Sequence, residues 1–169
     1  TTIANSCRFN DGSSDYLAFT PSSETQRKIA TFSAWVKKGL IDGGTPTIFE
    51  IYETNSNHVE IFFDTSERLN VSNRISNTGH NLVTNAVFRD PSAWYHIVYA
   101  LDTTQATASD RQKLYVNGTQ ITSFNEAIYM GQNTNSVFGT TNVNHIGRSQ
   151  YSFDYFDGYI TELVVIDGT

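Results

Sequence analysis

Apolar and polar residues alternate with period two along almost the whole chain, and no window of eleven or more residues carries a 3.6-residue period. A strand turns successive side chains to opposite faces, so this pattern demands sheets with one face on a core. Phe32, Ala34 and Val36 alternate with Thr31, Ser33 and Trp35; Val59, Ile61 and Phe63 alternate with Glu60 and Phe62; Leu114 and Val116 flank Tyr115. Residues 94–101 (WYHIVYAL) and 159–166 (YITELVVI) are apolar at both parities, His96 aside, which predicts core strands covered on both sides.

Turn chemistry separates these segments. Asn10-Asp11-Gly12, Asp42-Gly43-Gly44, Asn55-Ser56-Asn57, Asn117-Gly118 and Asp157-Gly158 supply residues that tolerate the dihedrals of tight turns. Asn117-Gly118, between KLYV and TQI, predicts a type I′ hairpin. Residues 102–110 (DTTQATASD) read as a surface loop. About a dozen strands with long connections favour an all-β, two-sheet antiparallel jelly roll over an up-and-down barrel. Phe32, Trp35, Trp94, Val98, Leu114, Val116, Ile160 and Leu163 are expected to be largely buried. Nothing marks a linker, so residues 1–169 are read as one domain, and as part of a longer chain.

Composition narrows the function. The net charge is −6, and the basic residues are dispersed, with Arg27-Lys28 and Lys37-Lys38 the only adjacent pairs, read as solvated turns or edges. That is unsuited to a phosphate backbone, and no nucleic-acid partner is expected. No stretch approaches the ~18 apolar residues of a membrane span and none resembles a signal peptide, so no membrane partner is expected, and the chain is expected either to stay inside its cell or to leave by a route other than general secretion, such as lysis. The single cysteine, Cys7, forms no intrachain disulfide and is read as a small buried hydrophobe.

Catalytic patterns are missing. The E-x-D-x-x-E string that sets a nucleophile and an acid on one strand face does not occur: Glu50 and Glu53 fall on opposite faces, and Glu60 and Asp64 lack the middle acid. There is no G-x-S-x-G elbow, and His58, His80, His96 and His145 are scattered singly. Tyr151, Phe153 and Tyr155 recur at alternate positions, so an extended segment would put them on one face. Exposed, they make a platform for a sugar or a partner; buried, they are core.

Four strings in order resemble the laminin G-like and pentraxin-like domains of the concanavalin A-like fold. They are RFNDG (residues 8–12) followed by Tyr16-Leu17, FSAWVK (32–37), WYHIV (94–98) leading to KLYVNG (113–118), and FDGYITEL (156–163). The longer strings FRDPSAWYH (88–96) and DTTQATA (102–108) are similar to a subgroup found in tailed-phage virion proteins. The resemblance implies pairing of the first and last strands. That would bring Asp11 and Asp15 towards Asp157 as candidate Ca²⁺ ligands at the sandwich rim, where hard cations find carboxylates. It also implies a non-enzymatic virion module, a capsid decoration or tail-fibre domain on the particle exterior, made in the host cytoplasm. Its expected partners are capsid or tail subunits, host-surface glycan and further copies of itself. The competing expectation is a stand-alone lectin or carbohydrate-binding module of a cellular protein; a glycoside-active enzyme ranks last.

Overall fold

The computed structural model describes residues 5–41 and 43–168. The chain there forms two antiparallel sheets packed face to face. The strands are β1 (Cys7–Phe9), β2 (Leu17–Phe19), β3 (Ile29–Lys38), β4 (Thr47–Thr54), β5 (Asn57–Phe63), β6 (Arg68–Ile75), β7 (Thr78–Val87), β8 (Tyr95–Asp102), β9 (Gln112–Val116), β10 (Thr119–Gln120), β11 (Phe124–Ala127), β12 (Val143–Ile146) and β13 (Gly158–Asp167). One sheet runs β1-β13-β3-β8-β9-β10, the other β11-β7-β6-β5-β4-β12-β2. Residues 102–110 hold, besides turns, the start of one short helix, α1 (Ala108–Arg111). Asp42 of the expected turn at 42–44 lies outside the described residues.

The alternation works as the pattern requires. Phe32, Ala34 and Val36 face inward from β3, Val59, Ile61 and Phe63 from β5, and Leu114 and Val116 from β9. Phe32 meets Phe49 at 5.1 Å between ring centroids, bringing side chains of the two sheets together. Tyr99 of β8 is fully buried, and its hydroxyl accepts from Asn73 Nδ2 of the opposite sheet and from Gln112 Nε2, both at 3.0 Å, so the core phenol is not left unpaired. Asn117 (φ 51°) and Gly118 (φ 78°) supply the two positive φ angles of the expected hairpin turn.

Several burial expectations are corrected. Trp35, Trp94 and Val98 are only half-buried, because the face of the six-stranded sheet turned away from the core has no further layer over it among the described residues. There Trp35 stacks on His96 at 4.9 Å, and Ser33 Oγ lies 3.0 Å from His96 Nε2. Strand β13 is likewise covered on one side only, with Val164 and Ile166 exposed. A bulge between Thr161 and Val164 shifts its inward parity from Ile160 to Leu163 and Val165. Cys7 is exposed at the sheet edge rather than buried. Lys38, far from solvated, is buried and paired with Glu67. Since Val98 points out, Val98→Thr is expected to cost less than ~1 kcal/mol in a denaturant melt, whereas an inward hydroxyl without a partner costs about 1–3 kcal/mol.

Candidate functional site

The outward face of the seven-stranded sheet carries a row of polar side chains across β12, β4, β5, β6 and β7. His145 pairs with Glu50, Glu50 with Glu60, Glu60 with Ser72, and Ser72 with Asn81. Glu50 is fully buried and Glu60 is 6% exposed, because residues 149–151 lie over them. The Glu50 carboxylate accepts from Ser149 Oγ (3.0 Å), the Gln150 N–H (2.7 Å) and the Tyr151 N–H (3.0 Å), and His145 Nδ1 lies 3.1 Å from it. Ser149 Oγ also contacts Glu60 Oε1 and accepts from the Ser152 N–H at 2.9 Å. Two acids of the sheet thus clasp the segment that carries Tyr151, Phe153 and Tyr155.

Proton counting favours one charge state for the clasp. Ser149 has one hydroxyl proton and two lone pairs. With both carboxylates ionised, its contacts to Glu50 and Glu60 could not both be hydrogen bonds. With Glu60 protonated, Glu60 donates to Ser149 Oγ, Ser149 donates to Glu50, and every contact is satisfied. Burial pushes Glu60 up to about 7, opposed by Ser149 donating to the ionised form and reinforced by the charges of Glu50 and Asp154. Burial pushes Glu50 up as well, but the bonds from His145, Gln150, Tyr151 and Ser149 outweigh it and hold Glu50 below its usual value. Two carboxyls with pKa values driven apart resemble an acid–base pair. Here, however, they lie under the chain they hold, and their oxygens are spent on it.

Sequence reasoning missed this pair. It looked for acids along one strand, whereas Glu50 and Glu60 sit opposite each other on neighbouring strands. An acid five residues before Asn55 and another four after Ser56 was the available signal.

The segment is not extended, so its three aromatics do not share one face. Tyr151 and Ser152 form a turn, Phe153 has φ 62°, and Tyr155 returns to bridge Arg148. Tyr151, Phe153, Tyr52, Asn55, Gln150 and Arg148 line an open cleft of about 680 Å³. Tyr151 stacks on buried His58 at 4.2 Å, and the Tyr52 hydroxyl donates to Asn55 Oδ1 at 2.7 Å. Phe153 is 70% exposed. Tyr155 instead lines a second cleft of about 220 Å³, which it shares with Phe153, Asp11, Asp154 and Asp157.

Asp11 and Asp157 therefore converge, as the pairing of β1 with β13 implies, but Asp15 does not line that cleft. Asp154 does, with its Oδ2 accepting from Thr45 Oγ1 at 2.5 Å. Asp11 Oδ1 accepts from the Gly12 N–H at 2.7 Å, an ordinary turn contact. Among the described residues no three His, Cys, Asp or Glu side chains are grouped so as to hold a metal ion. Of the expected trio, Asp11 and Asp157 share that cleft and Asp15 does not.

A two-sheet jelly roll with an aromatic cleft at its rim defines a lectin-like domain. The chain belongs to the concanavalin A-like lectin/glucanase superfamily: the Laminin_G_3 family model of that description matches residues 11–169. Domains LG4-5 of the mouse laminin alpha1 chain share the fold with a TM-score of 0.67 at 11% identity, over 98% of this chain and 42% of that one. The IT-sialidase CBM40 of Ruminococcus gnavus, bound to alpha2,3 sialyllactose, gives 0.58 at 17% identity over 90% of both chains. Tailspike protein 2 of the Escherichia coli O157:H7 bacteriophage CAB120 gives 0.62 at 19% identity, over 94% of this chain and 22% of that one. At these identities the likeness is one of fold. No curated protein matches the chain.

Proposed function

We propose that the domain is a non-catalytic glycan-recognition module, displayed in several copies on the exterior of a tailed-phage particle. The observation that carries this reading is the cleft around Tyr151 and Phe153, open to solvent yet fastened to the sheet through Glu50. Aromatic faces take the apolar face of a sugar ring, and Asn55, Gln150 and Arg148 offer polar groups for its hydroxyls. With its carboxyl pair covered, the site has binding groups and no accessible acid–base pair. The phage setting is supported by the virion-type strings at 88–96 and 102–108 and by the occurrence of this fold in a tailspike.

A shallow cleft of this kind binds at about millimolar affinity, near −4 kcal/mol. Several copies on one particle raise that by about 10² to 10⁴ without any new contact. Capsid or tail subunits and further copies of the chain are then its protein partners. Edge strand β2, with Leu17 and Phe19 exposed, favours a second reading in which the domain braces neighbouring subunits.

The test is a host-surface glycan array probed with the multimerised domain. Phe153→Ala is expected to weaken binding at least about tenfold while shifting stability by less than ~0.5 kcal/mol, because the ring is largely exposed. Absence of any glycan signal, with particles that fall apart when Leu17 and Phe19 are made polar, would favour bracing. Absence of the chain from purified virions would defeat the phage setting.

A further inference from the structure

The cleft holds a cation whose hydrogen-bonding edge is unused. Arg148 follows Gly147, whose φ of 79° and contact with Phe9 leave no room for a side chain: a Cβ there would lie 2.5 Å from the Phe9 ring. The backbone is therefore pinned where Arg148 enters the rim. Its guanidinium carbon lies 4.8 Å from the Tyr16 ring centroid and 5.9 Å from that of Tyr155. Both rings lie within cation–π reach of the group. Its Nε is buried without a hydrogen-bond partner. Arg27 and Arg111, by contrast, spend their N–H groups on the backbone carbonyls of Ser136, Gln105, Ala106 and Met130.

Arg148 is also the one charged residue among those lining this cleft. A second guanidinium, that of Arg74, lies 5.8 Å from the Tyr151 ring. The buried carboxylate under this segment, Glu50, is committed to His145, Ser149, Gln150 and Tyr151. Locally the cleft therefore favours an anion, although the chain as a whole carries −6.

We infer that the cleft selects a sugar bearing a carboxylate, of the uronic or nonulosonic acid class, with Arg148 gripping the carboxylate and the aromatic residues holding the ring. A planar guanidinium offers paired N–H groups in the geometry a carboxylate accepts, and such charge-assisted bonds are about twice as strong as neutral ones. A guanidinium held against two rings is also already ordered, so little freedom is lost when it binds. This selectivity rests on the glycan reading above and narrows it to one class of ligand.

The experiment compares the full chain, multimerised, on trigalacturonate and its neutral methyl ester, on sialyllactose and lactose, and on a sulfated galactoside. Carboxylate-bearing ligands are expected to bind at least about tenfold more tightly than their neutral counterparts. Arg148→Gln abolishes that preference, and Arg148→Lys, which keeps the charge without the fork, retains part of it. Equal binding of acid and ester by the unaltered chain overturns the inference while leaving glycan recognition intact, and this comparison needs no variant to fold. Preference for the sulfated ligand, or a preference that survives Arg148→Gln, overturns the assignment to a carboxylate gripped by Arg148. No binding to any sugar overturns this inference and the glycan reading together.

Discussion

Glu50→Ala is expected to lower the unfolding free energy by about 3–5 kcal/mol and to release the cleft from the sheet. The carboxylate is fully buried and accepts from two backbone N–H groups and a hydroxyl, beside His145. Alanine leaves those donors without an acceptor in a place water does not reach, and each such group costs about 1–3 kcal/mol. For a domain of this size, 1 kcal/mol corresponds to about 2–4 °C in the melting temperature, so a drop of roughly 10 °C is the expected reading. Amide exchange should localise the damage, with the Gln150 and Tyr151 N–H groups losing protection first. Glu53→Ala, at the exposed end of the same strand, should change stability by less than ~0.5 kcal/mol. If Glu50→Ala melts like the unaltered chain, the clasp is not what holds the cleft.

The clasp also makes the domain less stable as pH rises through neutrality. Glu60 is pushed up to about 7 in the fold, against an ordinary value of 4.5. The folded state therefore holds a proton that the unfolded chain releases earlier. Its contribution is fully present below pH 4.5 and is lost as pH rises through 7, with an upper bound of about 3 kcal/mol. Glu50 has the opposite sign: held below its usual value, it stabilises above its unfolded pKa and fails only in acid. His58 and His80 are both held below 6.5 by burial, so they oppose the Glu60 trend in mildly acidic solution and are neutral in both states at pH 7.5 and above. The histidines are common to the unaltered chain and to Glu60→Gln, so the difference in stability between the two chains from pH 5 to 8 isolates Glu60. Urea melts across that range should show the stability of the unaltered chain falling relative to that of Glu60→Gln, whose amide N–H can take over the donation to Ser149. A difference between the two chains that does not change with pH would mean that Glu60 is already ionised.

Local sequence determined much of this architecture. The alternation at Phe32, Ala34 and Val36, or at Val59, Ile61 and Phe63, marks strands because backbone geometry imposes a period of two. Asn117-Gly118 marks a hairpin because few other residue pairs accept two positive φ angles. These features depend on neighbours in the chain, and they appear where expected.

What alternation cannot give is which of two apolar faces meets another layer. Trp35 and Val98 read as core and sit on an outer face, because coverage belongs to the sheet and not to the strand. Nor can it foresee a bulge such as the one that swaps the parity of β13. The site was hidden for the same reason. Tyr151, Phe153 and Tyr155 would share a face only in an extended segment, and hydrogen bonds to Glu50, some hundred residues earlier in the chain, fold that segment into a turn instead. Glu50, Glu60, Ser149 and Arg148 carry no motif at any fixed spacing. Sequence determined the strands and their turns, since those energies are local; only the tertiary structure decided the clasp and the cleft, since a buried carboxylate takes its meaning from whichever donors the fold brings to it.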